Sequence, residues 1–315
     1  MTKILFTGAS SFTGYWFIKE LSSLGYDVTA LFTKPTVEAY EPLRQARISE
    51  ILKISRPVFG LRFGDDKFLK LIKTSKFDII CHHASEVSNY KSPDFSVSGA
   101  VESNTHKASQ VFSDLKSSSC NHFLLTGSVF EGGEGASPNN SNHFSPYGLS
   151  KSITSQIFHY YAEQFQISIG KFVIPNPFGA FEEKRFINYL ISQWLKNEIP
   201  QINTPLYIRD NIHVKLLAKY YSFFLKRLLT EDESAMKISP SGYIESQGDF
   251  AKRVATEMQL RLGHVCDIRF NTQTIFDEPL ERVNTDSVLS VAEKFDEKEA
   301  WDELASYYLN GSKLY

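Results

Sequence analysis

The stretch KILFTGASSFTG, residues 3–14, decides the fold of this chain. It begins as a short apolar run typical of a buried strand and continues through glycine and serine into a helix predicted over residues 13–24. Glycines after a strand permit a tight turn and close approach to a phosphate, and the first N–H groups of a helix favour an anion. A strand followed by incidental glycines is the alternative. We expect a phosphate-binding turn formed by Gly8, Ser11, Phe12 and Gly14, with the Ser11 hydroxyl donating to a phosphate oxygen.

The first half of the chain repeats this alternation of strand and helix. Predicted strands follow at DVTALF, VFGLRFG, FDIICHHA, HFLLTG and ISIGKFVIP, with a long helix around residues 95–117. Continuous apolar strands separated by helices predict an α/β fold with a doubly wound parallel sheet of the Rossmann type. Beyond Pro175 the regular alternation of strand and helix ends, which predicts a smaller, interleaved C-terminal substrate lobe. We assign residues 1–174, with 205–230 returning, to a dinucleotide-binding domain, and 175–204 and 231–315 to a substrate-binding lobe.

Composition excludes several classes of function. The 315 residues are 42% apolar with a net charge of −2, which is typical of an ordinary soluble globular protein rather than a nucleic-acid or membrane-surface protein. No stretch approaches the ~20 apolar residues that span a bilayer. Three widely spaced cysteines match neither a zinc site nor a disulfide framework, so we expect a cytoplasmic protein without a metal. The segment 131–144, rich in Gly, Asn and Ser, is either a substrate-facing loop or a plain surface connection.

Tyr147 and Lys151 stand four residues apart in YGLSK. On a helix this spacing places both side chains on one face. A fixed ammonium beside a phenol favours the phenolate, which suits proton transfer near neutral pH. Helical surfaces produce the same pair by chance, so two ordinary surface residues are the alternative.

Ten motifs in order give the chain a wider resemblance. It resembles an extended short-chain dehydrogenase/reductase of the NAD(P)-dependent nucleotide-sugar epimerase/dehydratase kind, over nearly its whole length. The motifs are TGASSFTG (7–14), GDD (64–66), HHA (82–84), Asn104, LLTGSVFE (124–131), YGLSK (147–151), PNPFG (175–179), RFI (185–187), RDNIHV (209–214) and EPLERVNTD (278–286).

The resemblance implies a role for each matching residue. Tyr147 would be the general acid/base at a sugar hydroxyl, and Lys151 would hold the nicotinamide ribose and lower the pKa of the tyrosine. Thr126 would hydrogen-bond the same hydroxyl, for which Ser128 is the less suited substitute. The expected cofactor-binding residues are Gly8, Ser11, Phe12, Gly14, Thr33, Lys34, Asp65, His83, Ala84, Asn104 and Lys151. The expected substrate-binding residues are Ser128, Asn176, Arg185, Arg209 and Arg282.

Two of these arginines have a plainer interpretation. A guanidinium is well shaped to bind a diphosphate, as the resemblance implies. Arg282 instead fits a surface ion pair with Glu278, and Arg209 fits a tie between the two lobes. Both interpretations stay open on the sequence alone.

The end of the second strand bears on the choice of cofactor. An acidic residue there would accept a hydrogen bond from the ribose 2′-hydroxyl of NAD. The strand DVTALF runs instead into Thr33 and Lys34, a hydroxyl and a cation that suit a 2′-phosphate. The sequence therefore favours NADP over NAD.

The residues after Thr126 narrow the reaction. Related dehydratases carry Asp-Glu where this chain has Gly127 and Ser128, and dual-function epimerase-reductases carry a cysteine in place of Ser128. We therefore expect a 4-epimerase that passes through a 4-keto sugar. An NADPH-dependent 4-ketoreductase is the alternative, and a non-catalytic dinucleotide sensor is a third possibility. The helical spacing of apolar residues at 153–165 and the resemblance together imply a homodimer.

Overall fold

A computed structural model describes residues 1–135, 143–287 and 289–311. Residues 136–142 of the predicted loop at 131–144 lie outside the described residues. In chain order, the elements are β1 (Lys3–Thr7), α1 (Phe12–Ser23), β2 (Asp27–Phe32), α2 (Pro42–Ile51), β3 (Arg56–Phe59), α3 (Asp66–Thr74), β4 (Ile79–His82), α4 (Val97–Asn104), α5 (Ala108–Ser117), β5 (His122–Ser128), α6 (Pro146–Phe165), β6 (Ser168–Ile174), β7 (Asn176–Phe178), α7 (Phe186–Leu195), β8 (Gln201–Ile202), β9 (Ile208–His213), α8 (Val214–Thr230), β10 (Ala235–Ile238), β11 (Tyr243–Ser246), α9 (Gln247–Leu262), β12 (Arg269–Phe270), β13 (Glu281–Arg282), α10 (Leu289–Ala292) and α11 (Glu297–Asn310).

Seven parallel strands form the central sheet, in the order β10-β6-β5-β4-β1-β2-β3. Helices α1 and α8 cover one face, where Phe17 and Tyr221 stack with ring centroids 4.1 Å apart. Helices α3, α5 and α6 cover the other face, where Phe112, Phe123 and Phe158 are fully buried. Because both faces are covered, the central strands are mostly apolar, with Lys171 of β6 as a buried exception. The predicted doubly wound parallel sheet is confirmed.

The helix predicted around residues 95–117 is interrupted. Helix α4 ends at Asn104 and α5 begins at Ala108, with Lys107 between them in the left-handed region at φ 49°. At the break, the carbonyl of His106 approaches Gly64 so closely that a Cβ on Gly64 would lie 1.9 Å from its oxygen. The two helices therefore bend around the turn that follows β3.

A second sheet builds the C-terminal lobe, with β11, β9 and β13 in order and β7 paired to β9. Its core is a separate cluster that includes Trp194, Phe250 and Trp301. The predicted domain boundaries need two corrections. β10 joins the central sheet although it lies within 231–315, and β9 joins the second sheet although it lies within 205–230, while α8 does return to the Rossmann core. The division into two domains otherwise stays a prediction.

No helix among the described residues is long and apolar enough to cross a membrane.

Candidate active site

The turn after β1 has the geometry of a phosphate cradle. Gly8 lies in the left-handed region at φ 74°, and a Cβ on it would be 2.8 Å from the backbone nitrogen of Ala84. Only glycine lets the turn come this close to the end of β4. Helix α1 then begins at Phe12, and the N–H groups of its first turn have no intrahelical acceptor.

The Ser11 hydroxyl is used inside this turn. It accepts from the Gly14 N–H at 3.1 Å as the N-cap of α1, and it donates to the Gly8 carbonyl at 2.8 Å. The expectation that this hydroxyl donates to a phosphate therefore needs correction, because its proton is already engaged. The backbone N–H groups of the turn remain suited to an anion.

Thr33 and Lys34 lie exposed just beyond the end of β2, and neither they nor the last residue of the strand, Phe32, carries a carboxylate. The Lys34 ammonium donates to the Ala39 carbonyl at 2.5 Å, and the Lys34 backbone N–H donates to the Tyr40 hydroxyl at 2.9 Å. The loop after β2 thus folds back on these two residues. Farther along, Asp65 is the residue just before α3, and its carboxylate accepts from the Arg62 N–H at 3.1 Å.

His83 and Asn104 tie the end of β4 to its neighbours. The His83 ring lies between two hydroxyls, with Nδ1 2.9 Å from Thr126 Oγ1 and Nε2 2.9 Å from Thr13 Oγ1. Burial, with Lys151 nearby, lowers the pKa of His83 to about 3, so the ring is neutral. Asn104 is buried and accepts from the Glu86 N–H at 2.7 Å.

Tyr147 lies on the first turn of α6, beside the end of β5. The Ser145 side chain caps the helix by accepting from the Gly148 N–H at 3.1 Å. A Cβ on Gly148 would lie 2.0 Å from the Phe130 carbonyl, so glycine allows α6 to approach β5. The Tyr147 ring packs edge-on against Tyr90, with centroids 5.3 Å apart.

The pKa of Tyr147 is raised, opposite in direction to what the resemblance implies. Burial is the main cause and the charge of Glu131 adds to it, whereas Arg185 and a hydrogen bond with Ser128 act the other way. The phenol is therefore protonated at neutral pH in the ligand-free protein. Burial also lowers the pKa of Lys151, whose ammonium donates to the Thr126 carbonyl at 2.7 Å.

A buried charge cluster, which was not predicted from the sequence, lies behind this pair. The Lys171 ammonium lies 2.7 Å from a carboxylate oxygen of Glu131 and 2.8 Å from one of Glu134. A second oxygen of Glu134 lies 3.1 Å from the Lys237 ammonium. One signal was available, since Lys171 is a charge inside the otherwise apolar strand ISIGKFVIP and needs a buried partner.

Two of the expected substrate-binding residues, Arg209 and Arg282, meet at one carboxylate. Arg282 is buried, and its guanidinium stacks 3.9 Å from the centroid of Phe130. Arg282 and Arg209 both donate to the same oxygen of Glu278, at 2.9 and 3.0 Å. The structure thus shows the ion pair with Glu278 that the sequence left open, and shows it shared by both arginines.

The other two expected residues differ in their surroundings. Asn176 donates to the Asp210 carbonyl at 3.2 Å and so joins β7 to β9. Arg185 is exposed at the start of α7, and its charge lowers the pKa of Tyr147, so the two residues share one electrostatic environment. Among the described residues, no cluster of three or more His, Cys, Asp or Glu has the arrangement of a metal site.

A family model described as the NAD dependent epimerase/dehydratase family matches residues 4–238. The chain belongs to this family. No curated protein sequence is significantly similar to it. As a member of an NAD dependent enzyme family, it uses a dinucleotide of the NAD type.

Several solved structures share the fold of this epimerase/dehydratase chain. A point mutant of the UDP-glucuronic acid 4-epimerase from Bacillus cereus, in complex with UDP-4-deoxy-4-fluoro-glucuronic acid and NAD, is 19% identical with a TM-score of 0.76, covering 100% of both chains. The UDP-glucose-4-epimerase from Stenotrophomonas maltophila, with bound NAD and formylated UDP-arabinopyranose, is 17% identical with a TM-score of 0.77, again over 100% of both chains. The UDP-glucose 4-epimerase from Bifidobacterium longum, in complex with NAD+ and UDP, is 15% identical with a TM-score of 0.74 over 100% of both. At these identities the likeness shows the fold.

A dinucleotide of the NAD type fits the residues of this cleft. The close approach of Gly8 to Ala84 leaves no room for a side chain at position 8, and the first N–H groups of α1, which lack intrahelical acceptors, would hold a pyrophosphate. The ammonium group of Lys151 reaches from α6 to the carboxyl end of β5, where the resemblance implies contact with the nicotinamide ribose.

Proposed function

We propose that the protein is an NAD(P)-dependent nucleotide-sugar 4-epimerase in which Tyr147 is the general acid/base. The observation that carries the proposal is the convergence of Tyr147 and Lys151 at the carboxyl end of β5. There Lys151 donates to the Thr126 carbonyl at 2.7 Å, and Tyr147 lies one helical turn before Lys151 on α6. The UDP-sugar 4-epimerases that share the fold support a nucleotide-diphosphate sugar as the substrate.

When bound, the nicotinamide supplies an acceptor and donor of hydride for the sugar carbon. Tyr147 exchanges the proton of the hydroxyl on that carbon. With its raised pKa, the phenol carries the proton that a keto oxygen needs in the reductive half-reaction. Accepting a proton in the oxidative half requires a lower pKa, and Arg185 already acts in that direction.

The substrate's diphosphate is assigned to Arg209 and Arg282, with Asn176 beside them. In the ligand-free protein both guanidiniums bind Glu278, so a diphosphate would replace that carboxylate. A guanidinium binds a phosphate with two parallel hydrogen bonds, and two arginines hold the nucleotide end firmly. The 4-keto sugar is then free to turn and present its other face to the hydride.

The test uses UDP-glucose, UDP-N-acetylglucosamine and UDP-glucuronic acid, with the 4-epimer detected by proton NMR. Tyr147→Phe is expected to lower turnover by about 10²- to 10⁴-fold, since it removes the acid/base. The variant should keep its dinucleotide, measured by mass spectrometry of the denatured protein. A variant that keeps turnover would overturn the role of Tyr147, and a wild type that keeps a dinucleotide but turns over no sugar would favour a sensor.

A 4-ketoreductase is the second candidate, and the end of β2 favours it. Thr33 and Lys34 are exposed there without a carboxylate, which suits the 2′-phosphate of NADPH. A reductase must exchange its cofactor at each turnover, whereas an epimerase regenerates it. Stoichiometric dinucleotide in the purified protein supports the epimerase. An empty protein that oxidises NADPH with a UDP-4-keto sugar supports the reductase.

We also propose a cytoplasmic homodimer that pairs α4 and α6 of two copies. Tyr160 is 58% exposed on α6, and Ile153 borders a surface cavity with Val97 and Val101 of α4. These side chains offer an apolar face for a second copy. Light scattering at micromolar concentration tests the dimer, and a monomer would contradict it.

A further inference from the structure

A buried arginine of α2 contacts the turn between β1 and α1. The Arg47 side chain is fully buried, and its Nη1 donates to the Ser10 carbonyl at 3.2 Å, in the middle of that turn. The guanidinium carbon also lies 5.9 Å from the ring centroid of Phe12, the first residue of α1. A guanidinium therefore lies beside the amino end of the helix that opens the phosphate cradle.

The same guanidinium is held by the segment that leads into the C-terminal lobe. Its Nε and Nη2 both donate to the Phe181 carbonyl, at 2.9 and 2.6 Å, and Nη1 lies 2.8 Å from a carboxylate oxygen of Glu183. Trp16 of α1 holds this segment as well, because its Nε1 donates to the Ala180 carbonyl at 3.0 Å. These contacts fix the guanidinium next to Ser10.

A cation in this position is unfavourable for the folded protein by itself. The amino end of a helix carries a partial positive charge, which disfavours a cation there and favours an anion. Burial adds to the cost and lowers the pKa of Arg47, although a guanidinium remains charged in proteins. Glu183 offsets only part of this cost, because its side chain is 36% exposed and therefore partly screened by water. An anion bound at the turn would offset more of it.

We propose that Arg47 is a positioning residue for the dinucleotide, whose buried charge favours a pyrophosphate at the turn while Glu183 limits how much of that charge the pyrophosphate experiences. Because Ser10, Phe181 and Glu183 already engage its donors, Arg47 acts through its charge rather than through a direct hydrogen bond to the cofactor. This role is independent of the proposed epimerase reaction, since it requires only a dinucleotide of the NAD type.

The sign of the effect at Glu183 separates this role from a role in packing alone. Without the Glu183 charge, the charge of Arg47 is uncompensated, so the turn should hold an anion more tightly. If the ion pair only supported the fold, its loss would weaken dinucleotide binding or leave it unchanged.

Fluorescence titration with NADH, on protein freed of any retained dinucleotide, measures the effect. NADH is the probe because it lacks the 2′-phosphate, so its charge is that of the pyrophosphate alone. Arg47→Met is expected to raise the Kd about tenfold, the size of effect that one buried charge supplies at an effective dielectric constant of about 20. Glu183→Gln is expected to lower the Kd about two- to fivefold. The control Arg44→Met removes the same charge one turn earlier on α2 and should change the Kd less than about twofold.

Two variants keep the test decisive if Arg47→Met does not fold. Arg47→Lys keeps the charge but loses the paired hydrogen bonds to Phe181, so it should be less stable to urea yet bind NADH within about threefold of the wild type. Glu183 is partly exposed, so Glu183→Gln should fold, and the sign of its effect decides by itself.

An unchanged or higher Kd in Glu183→Gln would overturn the proposal, as would a folded Arg47→Met protein with wild-type affinity. The changes at Arg47 and Glu183 should also persist from ~0.05 M to ~0.5 M salt, because buried charges are little screened; loss of both changes at high salt would contradict a buried charge effect. A protein that shows the expected NADH affinities but turns over no nucleotide sugar would contradict the proposed function and support the role of Arg47.

Discussion

Two adjacent glutamates at the start of the C-terminal lobe are expected to change stability with pH in opposite directions. Glu182 is 1% exposed, and its carboxyl accepts from the Asn188 N–H at 3.0 Å and the Gly179 N–H at 3.3 Å. Burial outweighs these bonds and raises its pKa to about 8. The partly exposed Glu183 instead pairs with Arg47 at 2.8 Å, and that charge lowers its pKa.

The direction in which Glu182 changes stability with pH depends on whether the folded or the unfolded protein loses this proton at lower pH. Between its ordinary pKa of 4.5 and about 8, the unfolded chain ionises while the folded protein keeps the proton, so stability falls as pH rises. At 1.36 kcal/mol per pKa unit, the fall has an upper limit of about 5 kcal/mol. Glutamine at position 182 does not titrate, so Glu182→Gln should lack this fall in stability. Its amide NH₂ cannot accept from a backbone N–H, which lowers stability by an amount that does not change with pH.

Urea unfolding of both proteins from pH 4.5 to 8.5 measures the effect. The free energy of unfolding of Glu182→Gln should gain on the wild type steadily as pH rises. Glu183→Gln is the matched control, because the lowered pKa of Glu183 gives stability that is present at neutral pH and lost in acid. Parallel pH curves for the wild type and Glu182→Gln would refute the assignment of a protonated Glu182.

Three further substitutions test packing, each by urea unfolding. Gly64→Ala should cost at least about 2 kcal/mol, since φ is 78° and the added Cβ would lie 1.9 Å from the His106 carbonyl; unchanged stability would mean that the turn relaxes freely. Arg47→Lys should cost about 1–3 kcal/mol, because the fully buried guanidinium donates twice to the Phe181 carbonyl at 2.6 and 2.9 Å and an ammonium cannot reproduce that fork; a smaller loss would indicate a water in its place. Asp210→Ala should cost about 2–4 kcal/mol, because two backbone N–H groups bound at 2.8 and 3.1 Å lose their acceptor; a neutral result would contradict their burial.

Six of the seven strands in the central sheet were predictable from the sequence, because each is a short apolar run. Apolar runs such as KILFT and HFLLT are buried on both faces, and their alternation with helices permits few topologies. The break between α4 and α5 was not predictable, since it depends on contact between His106 and Gly64, which are 42 positions apart in the chain. The position of β10 was not predictable for the same reason, because its pairing with β6 depends on contacts between segments that are far apart in the chain.

In the candidate site, too, some features were predictable from the sequence and others were not. The pattern YGLSK correctly placed Tyr147 and Lys151 on one helix, because helical spacing is a local property. The partners of these side chains are set by long-range packing. No local rule says that His83 engages Thr126 or that Lys171, 40 positions after Glu131, closes an ion pair behind Ser128. Motifs therefore identify residue types at an active site, and contacts between elements decide which of them act together.

The packing around Gly127 gives a physical reason for one inference that the sequence made by comparison. The chain lacks the Asp-Glu pair of related dehydratases, with Gly127 and Ser128 in its place. Any side chain at position 127 would contact Lys171 Cε at 2.7 Å and Glu131 at 3.0 Å. An aspartate there would also add a third carboxylate to a cluster that has already partnered its lysines with Glu131 and Glu134. Because the buried ion pair occupies the space beside Gly127, an acid at this position would have to displace the side chains of Lys171 and Glu131, and the charge cluster behind the site would have to rearrange with it.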